Sequence, residues 1–267
     1  MAYIIPVVNQ KGGAGKSMVS FNLAGAYAAD GKKVLFVDMD EQGTMTARFF
    51  GGNNSVSPGV YDIIDPEDRV DAHEAVHSTP VENISILPAN KKLRRIERLF
   101  GSDPDSRLFL SIGLQPVMNE FDFIVIDCPG NLGLLSEMAL AASSGAIIPV
   151  ECASEAINPL SETLRLIEHI RKSPNPELSL LGIVLNRFNA RRSEDNEYRK
   201  LIRNEFGQLI FDSEFRDHSE YKTSTSLGVP IVNLYPKSEH ADSYRAFSSE
   251  VKARLGIISL ELKNEYE

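Results

Sequence analysis

Eight residues near the amino terminus, Gln10-Lys11-Gly12-Gly13-Ala14-Gly15-Lys16-Ser17, constrain this chain more than any other stretch. An apolar, β-prone run, Tyr3-Ile4-Ile5-Pro6-Val7-Val8, leads into them, and a helix-capable segment from Met18 to Asp30 follows. Strand, tight glycine loop and helix in that order form a cradle for nucleotide phosphates. Gly12, Gly13 and Gly15 lack a Cβ, so the backbone can turn sharply and aim its N–H groups inward. The helix that starts near Lys16 adds free N–H groups and the positive end of its dipole. Lys16 can reach the β- and γ-phosphates, and the Ser17 hydroxyl suits Mg²⁺. The common spacing G-x-x-x-x-G-K-[ST] asks for glycine where Gln10 stands, and the loop carries a second lysine, Lys11, instead. That lysine serves either the phosphate of its own chain or one held by a second copy.

Lys11-Gly-Gly-Ala-Gly-Lys16-Ser17 resembles the deviant Walker A loop of the ParA/MinD ATPases, usually K-G-G-V-G-K-T-T, with Ala14, Ser17 and Met18 as departures. The likeness continues in family order along nearly the whole chain. Lys33 to Gly43 resembles the second strand and switch I, D-x-D-P-Q-G, with Glu41 in place of the proline. Phe121 to Gly130 resembles the Walker B strand and switch II. Gly182 to Arg187 resembles a late strand that ends at the adenine site, and Ser226-Leu-Gly-Val-Pro-Ile231 the S-x-G-x-P-[IV] segment. The resemblance implies an ATPase with ATP and Mg²⁺ as cofactors. It gives Lys11 the role of a finger that reaches across a dimer to the partner's ATP, and Asp40 that of positioning the attacking water. It places Asn186 and the backbone around Pro230 at the base. The nucleotide-binding set is then Lys11, Gly12, Gly13, Ala14, Gly15, Lys16, Ser17, Met18, Asn186 and Pro230, with Lys11, Lys16 and Asp40 in the chemistry.

Some of these roles also follow from the residues themselves. Asp127 ends an apolar strand, where an aspartate in a phosphate-loop protein holds Mg²⁺ together with Ser17. Asp38 sits at another strand end and either joins the Mg²⁺ shell or supports its loop. The Asn186 amide can both donate to and accept from an adenine edge.

Alternating β-rich runs and helical patterns predict a mostly parallel, doubly wound α/β sheet of about seven strands with helices on both faces. The strands are Ile4–Val8, Val34–Asp38, Ile84–Leu87, Phe123–Asp127, Ala146–Val150, Leu180–Asn186 and, more weakly, Gln208–Phe211. Helices are expected at Lys16–Asp30, Lys91–Phe100, Ser106–Glu120, Ser136–Ser143, Pro159–Arg171, Asn196–Phe206 and Glu239–Leu255. Asn53–Asn83, with Pro58, Pro66 and Pro80, reads as a surface excursion with one or two short helices. One ATPase domain is expected over 1–267, with no DNA-binding extension ahead of the loop. Ligands of such sheets bind at the carboxyl ends of strands, where Lys11, Asp38, Asp40 and Asp127 all fall.

The net charge of −9 argues against a chain that coats itself in nucleic acid as a whole. The charge is uneven, however, and Arg191, Arg192, Arg199, Lys200 and Arg203 cluster on or before one expected helix. They form either a DNA-binding face or a solvated one, since Glu194, Asp195 and Glu197 interrupt them; Lys91 to Arg98 carries the same ambiguity. Cys128 and Cys152 offer neither zinc-ligand spacing nor an evident cluster-bridging pair. By resemblance the chain is a ParA-type partition ATPase: a homodimer on ATP, bound to non-specific DNA, reset by a ParB-like partner, cytoplasmic and nucleoid-associated. The alternative is a MinD-like membrane switch, which needs a basic amphipathic tail. The actual tail, Leu255 to Glu267, contains Gly256 and ends acidic. A ligase on the same scaffold would need a substrate pocket that no motif marks.

Overall fold

The computed structural model describes residues 1–265, with side chains described for 1–256. It opens with β1 (Tyr3–Val7), α1 (Lys16–Ala29), β2 (Val34–Asp38) and α2 (Thr44–Phe49). Next come α3 (Val60–Ile64), α4 (Ala72–Ala75), β3 (His77–Ser78), β4 (Ile84–Leu87), α5 (Ile96–Phe100) and α6 (Phe109–Leu114). β5 (Phe123–Asp127), α7 (Leu134–Ala141), β6 (Gly145–Glu151), α8 (Ile157–Lys172), β7 (Ser179–Phe188) and α9 (Ser193–Phe206) complete the middle. The chain ends in β8 (Ile210–Arg216), α10 (Ser219–Leu227), α11 (Ile231–Leu234) and α12 (Glu239–Glu265). The charge and apolarity of the tail beyond residue 256, on which the membrane alternative turns, lie outside the described side chains.

The eight strands form one sheet in the order β3-β4-β2-β5-β1-β6-β7-β8. Every pairing is parallel except β3 with β4. The doubly wound α/β architecture expected from the sequence is therefore present, with one strand more. β3 is two residues long, too short to leave a pattern, and it caps the sheet edge antiparallel to β4.

Successive strand residues point to opposite faces, and the core divides accordingly. Ile4, Leu35, Val37, Ile124, Ile126 and Leu185 fill one side beneath α3 and α6 to α8. Ile5, Val7, Phe36, Val125, Ile147 and Val184 fill the other beneath α1, α11 and α12. Both faces are dry, which is why the strands read as continuous apolar runs. The Asn53–Asn83 segment is more than a surface excursion: Val60, Ile63, Ile64, Ala72 and Ala75 are buried in the first of these layers. Two expected helices are broken by tighter turns. A 3-10 turn over Lys91–Arg95 precedes α5, and 3-10 turns flank α6 at Ser106–Leu108 and Gln115–Val117. Among the described residues no helix is long and apolar enough to cross a membrane.

Candidate nucleotide site

Parallel pairing brings the carboxyl ends of β1, β2, β5, β6 and β7 to one edge. Asp38 lies in register with Asp127, Val7 with Asp127, and Glu151 with Asn186. The glycine loop leaves β1 at this edge. Gly13 and Gly15 both take φ of 85°, in the left-handed region that side chains avoid. Gly15 caps α1 with no side-chain partner, and the first turn of α1 holds no acidic residue. Its N–H groups and positive dipole end therefore face an anion site. Asn9 anchors the loop base, donating to the Pro149 carbonyl at 2.6 Å and accepting from the Lys11 N–H at 2.9 Å.

The two loop lysines differ. Lys16 is buried, with Nζ donating to the Lys11 carbonyl at 3.2 Å. Burial pulls its pKa below the ordinary lysine value, against the opposing pull of Asp127. Lys11 is partly exposed, and its Nζ pairs with Glu151 at 2.9 Å. The other oxygen of Glu151 takes Arg187 at 3.1 Å, and the same Arg187 nitrogen donates to the Gly13 carbonyl at 2.6 Å. One carboxylate thus gathers two cations beside the phosphate loop.

Asp127 is buried, and its Oδ1 has no hydrogen-bond partner among the described residues. Burial, then the nearby Asp38, pushes its pKa up to about 8, while a hydrogen bond with Ser17 and the charge of Lys16 oppose the rise. A dry, unpartnered carboxylate oxygen beside a serine hydroxyl fits a hard divalent cation with oxygen ligands. Asp38 is engaged differently from its expected place among metal ligands. Oδ2 accepts from the Thr46 N–H at 2.8 Å and the Thr46 hydroxyl at 2.7 Å, and Oδ1 accepts from the Asp40 N–H at 3.2 Å. Its geometry favours the second of the two readings, that of a loop support. Asp40 accepts from the Gln42 N–H at 2.9 Å and faces the phosphate cavity.

That cavity, of about 360 Å³, runs from Gly12, Lys16 and Ser17 past Asp40 to Cys128 and Gly130. A second cavity of about 260 Å³ shares Gly15, Met18 and Arg187 with it and extends to Arg216, His218 and Tyr221. The two cavities adjoin through these three residues and together offer room for phosphates and a base.

Asn186 and Pro230 do not line this second cavity. Asn186 is buried under the loop and donates to the Ala14 carbonyl at 2.7 Å, although its Oδ1 is unpartnered. A Cβ on Gly15 would meet its amide nitrogen at 2.1 Å. Pro230 is seated against α1, where a Cβ on Gly25 would meet its ring at 2.2 Å. Two of the five basic candidates are also committed elsewhere. Arg199 and Arg203 both bind the Glu214 carboxylate, Arg199 at 2.7 Å, and Glu214 is only 9% exposed at its side chain. Arg191, Arg192 and Lys200 are exposed. Sequence reasoning passed over Glu151, His218 and Tyr221, and it named Arg187 at the end of its strand without giving it a role at the loop. The one available signal was that Glu151 and Arg187 stand at the ends of two apolar runs, as Asp38 and Asp127 do.

A family profile described as an AAA domain matches residues 2–180. The sporulation initiation inhibitor protein Soj of Bacillus subtilis is 33% identical over 253 residues, covering 95% of this chain and 99% of that protein. The chain belongs to the ParA/MinD-type family of AAA-domain ATPases. The chromosome partitioning protein ParA of Myxococcus xanthus is 30% identical over 251 residues, covering 94% and 88% of the two chains. Among solved structures, cobyrinic acid a,c-diamide synthase from Mycobacterium smegmatis with bound ATP analog and magnesium superposes with a TM-score of 0.80. The identity is 25%, and 93% of each chain is covered.

Proposed function

We propose that this chain is a partition ATPase that binds Mg²⁺ and ATP, dimerises on them, and holds duplex DNA non-specifically in that state. A ParB-like partner resets it by stimulating hydrolysis in the cytoplasm, at the nucleoid. The observation that carries this reading is the convergence of the glycine loop, Lys16, Ser17 and Asp40 on one cavity, with buried Asp127 hydrogen-bonded to Ser17 beneath it, in a chain whose relatives include partition proteins along nearly its full length.

Ser17 and Asp127 would hold Mg²⁺, whose charge neutralises β- and γ-phosphate oxygens. The α1 amino terminus and Lys16 bind the phosphates. Asp40 keeps Oδ1 on the Gln42 N–H and has its second oxygen to orient a water towards the γ-phosphate. Lys11 leaves Glu151 to meet charge on the nucleotide of a second copy, which makes hydrolysis depend on dimerisation. Asp38 holds switch I in place through Thr46. Arg191, Arg192 and Lys200 contribute to the DNA face, and doubling such contacts in the dimer raises affinity steeply.

The decisive experiment is a paired binding assay on the ATP-loaded protein. Retention on duplex DNA at low salt, lost as salt rises and absent in Lys16→Ala, is the expected result. Flotation with anionic liposomes, without DNA binding, would replace this reading with a membrane switch. ATP binding that survives Lys16→Ala would remove the site itself.

A further inference from the structure

Away from the phosphate loop, β8 leads through Asp217 and His218 into α10, and α12 begins beside it. His218 caps α10, its Nδ1 accepting a long 3.4 Å bond from the Glu220 N–H. His240, in the first turn of α12, is 7% exposed and packs its ring 4.1 Å from that of His218 and 4.9 Å from that of Tyr221. A ligand atom from each of His218, Glu220 and His240 lies within 4.8 Å of the others. Glu220 adds an independent sign: its Oε2 is buried and has no hydrogen-bond partner among the described residues. A carboxylate oxygen withdrawn from water without a donor needs a cation or proton to compensate it.

We propose that His218, Glu220 and His240 form a binding site for a divalent transition-metal ion of the zinc class, separate from the Mg²⁺ site and clamping the start of α10 to the start of α12. Two imidazoles and one carboxylate select Zn²⁺, Co²⁺ or Ni²⁺ over the oxygen-seeking Mg²⁺ and Ca²⁺. Bonds of about 2.0–2.2 Å around a tetrahedral ion bring ligand atoms to roughly 3.4 Å apart, so closure asks for side-chain movements on the order of 1 Å. Imidazoles bind metal when neutral, and burial followed by the neighbouring His218 holds His240 towards that form. Glu239 adds a negative charge nearby, with an oxygen 3.9 Å from His240 Nε2, while Arg216 opposes it. The fourth coordination position is left to water. His218 lines the candidate base cavity, His240 lines the neighbouring cavity of about 240 Å³, and Tyr221 borders both. An ion at the cluster would therefore stiffen one wall of the base cavity.

The test is a Co²⁺ titration of the full, nucleotide-free chain in excess Mg²⁺, following the visible absorption of tetrahedral cobalt, with Zn²⁺ as competitor. One equivalent of Co²⁺ displaced by Zn²⁺ is expected, together with a rise in Tm on adding Zn²⁺. Glu220→Gln and His218→Asn should each weaken binding by at least about tenfold, while Asp127→Asn leaves it intact. His218 is exposed, so His218→Asn carries the test even if a variant of buried His240 does not fold. Absence of saturable binding overturns the proposal. So does Co²⁺ affinity that is unchanged in both His218→Asn and Glu220→Gln, or that is lost in Asp127→Asn instead.

Discussion

Replacing Thr46 with valine removes one oxygen that serves two buried partners. The Thr46 hydroxyl donates to Asp38 at 2.7 Å and accepts from the Ala89 N–H at 2.9 Å, joining the end of β2, the start of α2 and the residues after β4. Thr46, Asp38 and Ala89 are fully buried, so water cannot take over either bond. A hydrogen bond to a charged group contributes about 1.5–3 kcal/mol, and a stranded buried N–H costs about 1–3 kcal/mol. Thr46→Val should therefore destabilise the protein by about 3–5 kcal/mol at pH 8. Thr46→Ser keeps the hydroxyl and should lose only about 1 kcal/mol for one methyl group.

The penalty also depends on pH. Burial raises the folded-state pKa of Asp38 to about 6, above the ordinary aspartate value of 3.8, even with Thr46 bonded. Between these values the folded state binds more protons than the unfolded chain. The group's contribution to stability is greatest below about pH 4 and is lost as pH rises through about 6. Without the hydroxyl that pKa climbs further, so the Val variant falls behind as the pH rises and recovers about 1–2 kcal/mol of its deficit at pH 5. Urea denaturation at pH 5 and pH 8, with unchanged m-values, measures all of this. A valine variant within 1 kcal/mol of wild type at pH 8, or a serine variant as damaged as the valine one, refutes the reasoning.

Three further outcomes are expected. Asp127→Asn should raise the urea midpoint of the nucleotide-free protein at pH 8, because its carboxyl is pushed up to about 8 by burial; the gain should shrink as pH falls towards 4, and Mg²⁺ with ATP should no longer stabilise the variant. Gly15→Ala combines a φ of 85° with a Cβ 2.1 Å from the Asn186 amide, and titration with a fluorescent ATP analogue should show affinity reduced by at least about tenfold, a loss of about 1.4 kcal/mol. Arg199→Ala with Arg203→Ala should cost about 3 kcal/mol in thermal or chemical denaturation by stranding Glu214, whereas Arg191→Ala with Lys200→Ala should leave stability unchanged and weaken DNA retention.

The sequence disclosed the fold wherever a local pattern was long enough to register. β1, β2, β4 and β5 are short β-branched runs buried on both faces, and each lies within a residue of its expected bounds. β3 was missed because two residues carry no period. α10 was missed because Ser-Glu-Tyr-Lys-Thr-Ser-Thr-Ser-Leu is rich in residues that compete with the helix backbone; tertiary packing of Tyr221 and Ser224 overrides that preference. The loop and the aspartate positions were legible for the opposite reason: a phosphate cradle is built from consecutive residues, so its chemistry is written in one place. The second cavity is assembled from the ends of β7 and β8 with α1 and α10, and no short motif encodes it. The same limit explains Asn186, Pro230, Arg199 and Arg203, whose residue types were suggestive but whose partners, Ala14, Gly25 and Glu214, lie elsewhere in the chain.

The site is divided into a fixed part and a movable part, and the division follows burial. Lys16 and Asp127 are held in a dry setting that disfavours the charged form of each, which a phosphate and a divalent cation would relieve from opposite signs. Both side chains are more than nine-tenths buried, so binding there acts on groups already in place. Lys11 is different. Its hold on Glu151 is partly exposed, which limits that pair to about 1 kcal/mol, and Arg187 already supplies Glu151 with a second cation at 3.1 Å. Withdrawing Lys11 therefore leaves no buried charge uncompensated. A triphosphate carries several negative charges and competes for that ammonium at little cost to the fold, whereas Lys16 is buried with its Nζ on the Lys11 carbonyl. In the proposed cycle the first lysine of the loop is therefore the one that can change partners, as its trans role requires.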